Sequence, residues 1–497
     1  MSPAVLPQDL NLLALLPEMA LLLAACIVLL ADATIKEGAA GWRIDRLALA
    51  VLVLPLAATL YVAAQGHSYS FGDMYVADLM AHTLKVCAII ATAAIIIYSG
   101  QYAADRGMRR GELYALALFS LLGQMVMMSG SNLLVLYLGL ELMSLSLYAV
   151  AALRRDSAPS SEAAMKYFVL GALASGFLLY GMSMVYGATG SLNIPEIVDK
   201  IVAGQVSDAV LIFGVVFVVA GIAFKFGAVP FHMWLPDVYQ GTATVATLLI
   251  AAGPKLAAFA LAFRLLGEAL MSVSGDWHQM LIVLAVLSLG LGNVVAIAQT
   301  NLKRMLAYST ISQVGFVLLG MVGAHTGGDI SQSADAFGSA MFYAITYVLT
   351  TLGTFGLIQF LARKGFEAEE IDDFKGLARR SPWLAGIMML MMFSLAGLPP
   401  LVGFYAKLVV LESVVAVGLV WLAVYAVMMS LIGAYYYIRV IKVMYFDDAV
   451  DTSPIIVGND AQATMAVNGL LILLLGIAPG PLVTLCAESI RQALQLV

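Results

Sequence analysis

Four ionisable residues stand inside apolar runs long enough to cross a bilayer. They are Glu141 in NLLVLYLGLELMSLSLYAV, Lys225 in VVFVVAGIAFKFGAVPFH, Lys255 in TLLIAAGPKLAAFALAF and Lys407 in SLAGLPPLVGFYAKLVVLE. A charged side chain at mid-bilayer costs at least roughly 2.5–3.5 kcal/mol on insertion scales, so each needs a reason to be there. Glu141 lies ten residues after Ser131, about 15 Å along a helix, which is the membrane centre and too deep to snorkel. Lys225 immediately precedes the interruption GAVP (227–230), Lys255 follows Pro254, and Lys407 follows the interruption AGLPPLVG (396–403). Loss of water disfavours a charged lysine and a nearby carboxylate favours it, so a lysine poised between the two can load and release a proton. Gly and Pro beside Lys225 and Lys407 free backbone groups, which are tolerated at membrane depth only inside protein or beside a water-filled cavity. Broken helices beside charged groups at mid-membrane mark ion sites in transporters. The implied chemistry is proton carriage by Glu141, Lys225, Lys255 and Lys407. The plainer alternative is a buried Glu–Lys pair that only locks two helices together.

Other titratable groups are weaker candidates. Lys85, within about two turns of its span's outer end and near His82, is expected to snorkel to the interface and stays off the relay. Glu162 and Lys166, spaced i,i+4, read either as a local ion pair or as proton handlers. Glu18, behind Pro17, has no assigned role, and Glu412 at a span's end is expected to be wet. The five histidines (His67, His82, His232, His278, His325) include no i,i+4 pair, so neither paired haem ligands nor a zinc-binding helix is suggested. His232, in VPFHMWLPDVYQG, fits a proton entrance or an interfacial belt equally well. Cys26, Cys87 and Cys486 lie far apart with no C-x-x-C, which argues against a cluster, a zinc site or a disulfide framework. With no G-x-x-x-x-G-K-[ST] and no dinucleotide fingerprint, neither ATP nor NADH is expected to bind, and no cofactor is expected in this chain.

The elements that must position these residues follow from composition. Of 497 residues, 62% are hydrophobic and 11% charged, with mean hydropathy +0.96. Soluble domains carry roughly 25% charged residues, so a water-soluble fold is excluded and a lipid bilayer is the required partner. The net charge of −6 comes with no basic run suited to nucleic acid. A crossing needs about 20 apolar residues. Fourteen stretches qualify, near 10–31, 45–65, 78–99, 111–129, 131–153, 162–188, 208–229, 242–266, 278–299, 303–323, 336–362, 382–411, 417–443 and 462–486. The first has no positive n-region and reads as a retained span, not a signal peptide. Alternate loops then hold 18 Lys and Arg on one side and three, Lys200, Arg264 and Arg491, on the other. That bias puts both termini on the non-cytoplasmic side. The fold class is an all-α polytopic membrane protein of 14 transmembrane helices, a single transmembrane domain over 1–497 whose loops are too short to fold alone.

Three runs carry a family resemblance: KFGAVPFHMWLPDVYQGTATVATLLIAAGPKLAAFA (225–260), NLKRMLAYSTISQVGF (301–316) and SLAGLPPLVGFYAKLVV (394–410). They resemble the antiporter-like subunits of respiratory complex I, the proton-translocating NADH–quinone oxidoreductase. Among these, WLPDVYQG, Lys407 in the twelfth span and the lack of a long C-terminal extension look like the subunit N family. The resemblance covers nearly the whole chain. It implies two inverted five-helix repeats, helices 4–8 and 9–13, with helices 7 and 12 broken. The chain then divides into three N-terminal helices (1–110), a first repeat (111–266), a second repeat (278–446) and a C-terminal helix (462–497). It also implies Glu141 and Lys225 as the fifth- and seventh-helix pair, Lys255 as the central lysine and Lys407 as the lysine near the exit. Flavin and iron–sulfur clusters are expected in partner subunits, with subunits K, M, J and A and the lateral helix of subunit L as neighbours in a bacterial inner membrane. One departure is Gln313 in STISQVG, where the family often has His, and no proton-carrying role is given to it. Competing readings are a subunit of a cation/proton antiporter or membrane-bound hydrogenase, and a membrane scaffold.

Overall fold

The computed structural model describes residues 10–34, 41–325, 329–449, 451 and 453–496, leaving Lys36 and the side chain of Arg43 outside the described residues. Apolar runs without neighbouring water can satisfy their backbone only as helices, and helices dominate. The spans are α1 (Leu16–Thr34), α2 (Ile44–Ala63), α3 (Leu79–Asp105), α4 (Gly111–Ser129), α5 (Leu133–Ala151), α6 (Ala158–Thr189), α7a (Asp208–Phe226), α8 (Thr244–Ala269), α9 (Met271–Ile297), α10 (Leu302–Val322), α11 (Ile330–Leu361), α13 (Val420–Phe446) and α14 (Asn459–Ile477). These are the thirteen described helices long and apolar enough to cross a membrane. The remaining apolar stretch is split into α12a (Pro382–Ala396) and α12b (Val402–Ala416). Helix α7a continues, after its break, as the short α7b (Trp234–Gly241). A two-stranded hairpin, β1 (Ser68–Ser70) with β2 (Tyr75–Ala77), and a surface helix Ile194–Val202 sit at span ends.

Burial sorts the spans. The apolar window of α8 is 100% buried and that of α10 94%, against 28% for α14 and 33% for α1. The first two form the centre, while Leu22, Leu30, Val424, Leu431 and Leu470 on the outer helices stay exposed for lipid. Small residues set the closest approaches. At Gly139, two residues before Glu141, a Cβ would lie 2.9 Å from the Gly123 carbonyl, so α4 and α5 touch through backbone there.

The sequence placed one span at 462–486, but helix α14 stops at Ile477 and a separate helix, α15 (Gly480–Leu496), follows Pro479. Its Cys486, Ser489, Ile490 and Ala493 are buried at i, i+3, i+4 and i+7, and Gln492 accepts from the Leu79 amide at 3.1 Å. A one-sided apolar stripe seats this helix on α3 and α11. The turn falls on APGP (478–481), inside the stretch that the sequence reading takes as one span.

At the opposite ends of the bundle, Glu367 ties three elements together. Arg106 donates to it at 2.9 Å, Arg154 at 2.7 Å and Tyr102 at 2.8 Å. Burial pushes the Glu367 carboxyl up, but the hydrogen bonds and charge of Arg106, with Tyr102 and Arg154, outweigh it and bring the pKa from 4.5 to about 2. A carboxyl depressed on folding stabilises fully above its unfolded value and loses that contribution as pH falls through the folded one. Thermal midpoints should therefore drop between pH 4.5 and about 2, and Glu367→Gln should lower the midpoint above that window and flatten the slope within it. An unchanged slope in the variant would remove Glu367 as the source.

Candidate proton-carrying site

Lys225 occupies the last turn of α7a, and its Nζ donates to Ser144 Oγ at 3.0 Å on α5 and to Ser175 Oγ at 3.3 Å on α6. Ser144 lies one turn beyond Glu141. Among the described residues no ion pair joins Glu141 to Lys225, although the Glu141 charge is near enough to act on it. The direct pair expected from sequence is thus replaced by two serines at the ammonium. Glu141 Oε1 is buried with no hydrogen-bond partner, an open acceptor in an apolar helix.

Lys255 reaches across from α8 to the end of α7a. Its Nζ donates to the carbonyls of Phe226 at 3.1 Å and Lys225 at 3.4 Å. These carbonyls are free because Gly227 turns the chain left-handed at φ 79°, so the residues that would have donated to them leave the helix. The Phe224 carbonyl, which also accepts the Gly227 amide at 2.9 Å, takes the Trp234 Nε1–H at 3.1 Å, and the Trp234 ring lies 5.4 Å from the Lys255 ammonium. The end of a helix carries partial negative charge, which suits a cation. Helix α8 is itself irregular at Ala252, three residues before Lys255, a break that sequence reasoning did not foresee.

Lys407 repeats the construction. Helix α12a ends at Ala396, Gly397 is left-handed at φ 87°, and Lys407 Nζ donates to the Leu395 and Ala396 carbonyls at 3.0 Å each and to Ser430 Oγ at 2.6 Å. The Phe316 ring lies 5.1 Å from this ammonium. The Leu395 carbonyl also accepts Gln313 Nε2 at 3.1 Å, and the same amide donates to Tyr437 OH at 2.9 Å. Tyr343 OH donates to Gln313 Oε1, and one turn along both helices Tyr347 OH donates to Thr310 Oγ1 at 2.7 Å. A polar file between α10 and α11 thus leads from Lys407 toward Tyr239 on α7b, which interacts with Tyr347 and Thr310. Gln313, set aside in the sequence reading, shares the Leu395 carbonyl with Lys407. The polar run Ser309, Thr310, Ser312 and Gln313 inside a span was the signal for it.

Elsewhere two expectations fail. Lys85 does not snorkel: it is fully buried, 2.6 Å from Glu18 Oε1 and 2.8 Å from Tyr75 OH, while Tyr75 donates to Glu18 Oε2 at 2.7 Å. Glu18 thereby has a partner 67 positions away, which no local pattern announces. Arg264 is not a loop residue but lies 1% exposed inside α8, bonded to Asp78 at 2.8 Å and Glu268 at 2.5 Å. Lys166 pairs with Glu162 at 2.9 Å and also with Asp237 at 2.7 Å, and Asp237 takes Arg304 at 2.8 Å. His278 and His325 meet with ring centroids 4.6 Å apart. No group of three or more metal-ligating side chains occurs among the described residues.

Residues 130–433 match the family described as NADH:quinone oxidoreductase/Mrp antiporter, TM. NADH-quinone oxidoreductase subunit N of Herminiimonas arsenicoxydans is 57% identical over 492 residues, covering 98% of this chain and 99% of that protein. Subunit N of Polaromonas naphthalenivorans is 56% identical, with 98% of each chain covered. Among solved structures, a chain of respiratory complex I from Thermus thermophilus with bound aureothin matches with a TM-score of 0.79 at 30% identity, over 95% of this chain and 99% of that one. A chain of an archaeal membrane-bound sulfane sulfur reductase matches with a TM-score of 0.82 at 24% identity, covering 96% of this chain and 97% of that one, a likeness of fold. Fold and family together define an antiporter-like membrane subunit. Within that class, the chain belongs to the subunit N family of NADH-quinone oxidoreductase.

Proposed function

We propose that the chain moves protons across the membrane as a membrane-arm subunit of NADH-quinone oxidoreductase, with Glu141, Lys225, Lys255 and Lys407 as its relay and the driving redox chemistry in other subunits. The observation that carries this reading is the pair of buried ammonium groups set on open helix ends, Lys255 on Phe226 and Lys225, and Lys407 on Leu395 and Ala396. An ammonium has three donors, and the neutral amine keeps two of them plus a lone pair. Two carbonyls therefore hold each lysine in place whether or not it carries its proton. At Lys407 the Ser430 hydroxyl can turn to donate once the amine is neutral. Closing the distance between Glu141 and Lys225 would favour the charged lysine, and opening it would favour release toward Lys255. The file through Thr310, Tyr347, Tyr343 and Gln313 offers hydroxyls and an amide on the way to Lys407.

The same reading takes fourteen crossings, with both termini on the periplasmic side of a bacterial inner membrane, and two inverted repeats within 111–266 and 278–446 between the N-terminal helices (1–110) and the C-terminal segment (462–497). Its support is the likeness of the two breaks. Gly227 and Gly397 are both left-handed, each is followed three residues later by Pro, and each leaves its helix's last two carbonyls to a lysine. Subunits K, M, J and A and the lateral helix of subunit L are the proposed neighbours, with flavin and iron–sulfur clusters in partners and none here. Purification in mild detergent tests this, since an antiporter assembly would bring no flavin partner. For the relay, Glu141→Ala or Lys225→Ala in the assembled complex should sharply reduce NADH-driven acidification of vesicles. Full pumping in both variants with assembly intact rejects the mechanism.

A further inference from the structure

We propose that Glu268 is a proton-exchanging carboxyl at the outer mouth of a second route, which leaves the relay at Lys255 and follows the contact between α4 and α8. The proposal rests on the reading that Lys255 carries protons. Glu268 is 4% exposed and lies thirteen residues beyond Lys255 on the same helix, about 20 Å along it. The helix around it, Phe263–Ala269, is wound as a π-helix, a form that concentrates at functional sites.

The charges around Glu268 do not balance. Arg264 donates to Glu268 Oε1 through Nη1 at 2.5 Å, and through Nη2 to Asp78 Oδ2 at 2.8 Å and the Met128 carbonyl at 3.0 Å. Asp78 is held further by the Ala81 amide at 2.8 Å, at the positive start of α3. One guanidinium thus serves two buried carboxyls, and Asp78 has the Ala81 amide besides. The adjoining Glu18, Lys85 and Tyr75 are bonded among themselves and lend no cation. Tyr69 of the hairpin faces the same cluster and is neutral. Among the described residues the cavity wall is otherwise uncharged: the surface helix contributes Val198, α11 contributes Ile330 and Ser333, and α15 contributes Leu494.

Both ends of a path are present. Outward, Glu268 lines a surface cavity of about 170 Å³ with Ser272 and Ser333 as its other polar walls. Inward, Gln124 of α4 is 3% exposed, and its side-chain carbonyl has no hydrogen-bond partner. That oxygen lies against Gly253, two residues before Lys255, where any Cβ would collide with it. Gln124 donates to Ser120 at 3.2 Å, and Met128, one turn the other way, gives its carbonyl to Arg264. Gln124 thus lies level with Gly253, near Lys255, and the Met128 carbonyl, one turn further along α4, reaches the Arg264 cluster. The step is proton transfer alone. A proton taken by a Glu268 carboxylate oxygen makes the neutral acid while Arg264 stays on Asp78, and loss of that proton to water in the cavity restores the carboxylate.

The test is the intact complex in sealed vesicles, with protons moved per NADH measured against the pH of the compartment that the cavity faces. Glu268→Gln keeps the shape and an acceptor for Arg264 but cannot exchange a proton. The expected result is a lower proton-to-NADH ratio and loss of that pH dependence, with Glu268→Asp restoring part of both. A ratio and pH dependence equal to the unmodified complex in Glu268→Gln, while Lys225→Ala is defective, overturns the second route and leaves the relay standing. Normal pumping in Lys225→Ala removes both. Should Glu268→Gln fail to assemble, Gln124→Leu breaks the inner end without touching Arg264, and unaltered pumping there is equally decisive against the route.

Discussion

Lys255→Met is expected to cut NADH-driven proton movement by the assembled complex below about a tenth of the unmodified level, a loss of at least about 1.4 kcal/mol on the step it serves. Of the four proposed relay residues, Lys255 alone donates to the backbone of another, through the Lys225 carbonyl. It sits on the most deeply buried span, where methionine fills the volume of the lysine stem without its proton. Methionine also leaves the Phe226 and Lys225 carbonyls without a donor, so lost assembly would confuse the result. Lys255→Arg separates the two effects. A guanidinium supplies donors to both carbonyls but stays charged at any working pH and cannot release a proton. The relay reading expects an assembled, non-pumping Lys255→Arg complex. Pumping in that variant near the unmodified level would mean that Lys255 is only a helix cap.

The second large effect is on assembly. Lys85→Met strands the Glu18 carboxylate among apolar helices with Tyr75 as its remaining partner. Breaking one side of a buried pair costs about 3–5 kcal/mol, a large share of a typical net stability of about 5–15 kcal/mol. The expected outcome is a marked drop in assembled complex and in its thermal midpoint. Adding Glu18→Gln removes the stranded charge, and the double variant should recover most of the loss, because a neutral pair of similar volume carries no uncompensated charge. A single variant as stable as the unmodified chain, or a double variant no better than the single, would show that this pair does not hold α1 to α3. Proton movement per assembled complex should stay unchanged in the double variant, since none of the relay residues contacts the pair.

Much of the candidate site was legible along the chain because the informative quantities were local. Lysines in 20-residue apolar runs stand out by composition, and Gly and Pro near positions 227 and 397 act on their own backbone. The misplacements share one cause. Lys85 and Arg264 each lie close to a predicted span end, and from there hydropathy gives the same reading for a side chain bound to water and one bound to a distant carboxylate. Their partners are Glu18, from the first span, and Asp78, 186 positions from Arg264. Gln313 was underrated for the same reason, since its bond to the Leu395 carbonyl spans 82 positions and depends on α12a ending where it does.

By itself the sequence determined the membrane class, the setting of Glu141, Lys225, Lys255 and Lys407 inside apolar runs, and the helix breaks at Gly227 and Gly397. Those follow from transfer free energy and from backbone freedom, both properties of a few consecutive residues. Only the tertiary structure decided what each charge meets. It put two serines at the Lys225 ammonium, open helix ends under Lys255 and Lys407, and one arginine between Asp78 and Glu268. Such pairings form where separate helices close on one another, and a buried charge is stable only with whichever partners that closure delivers.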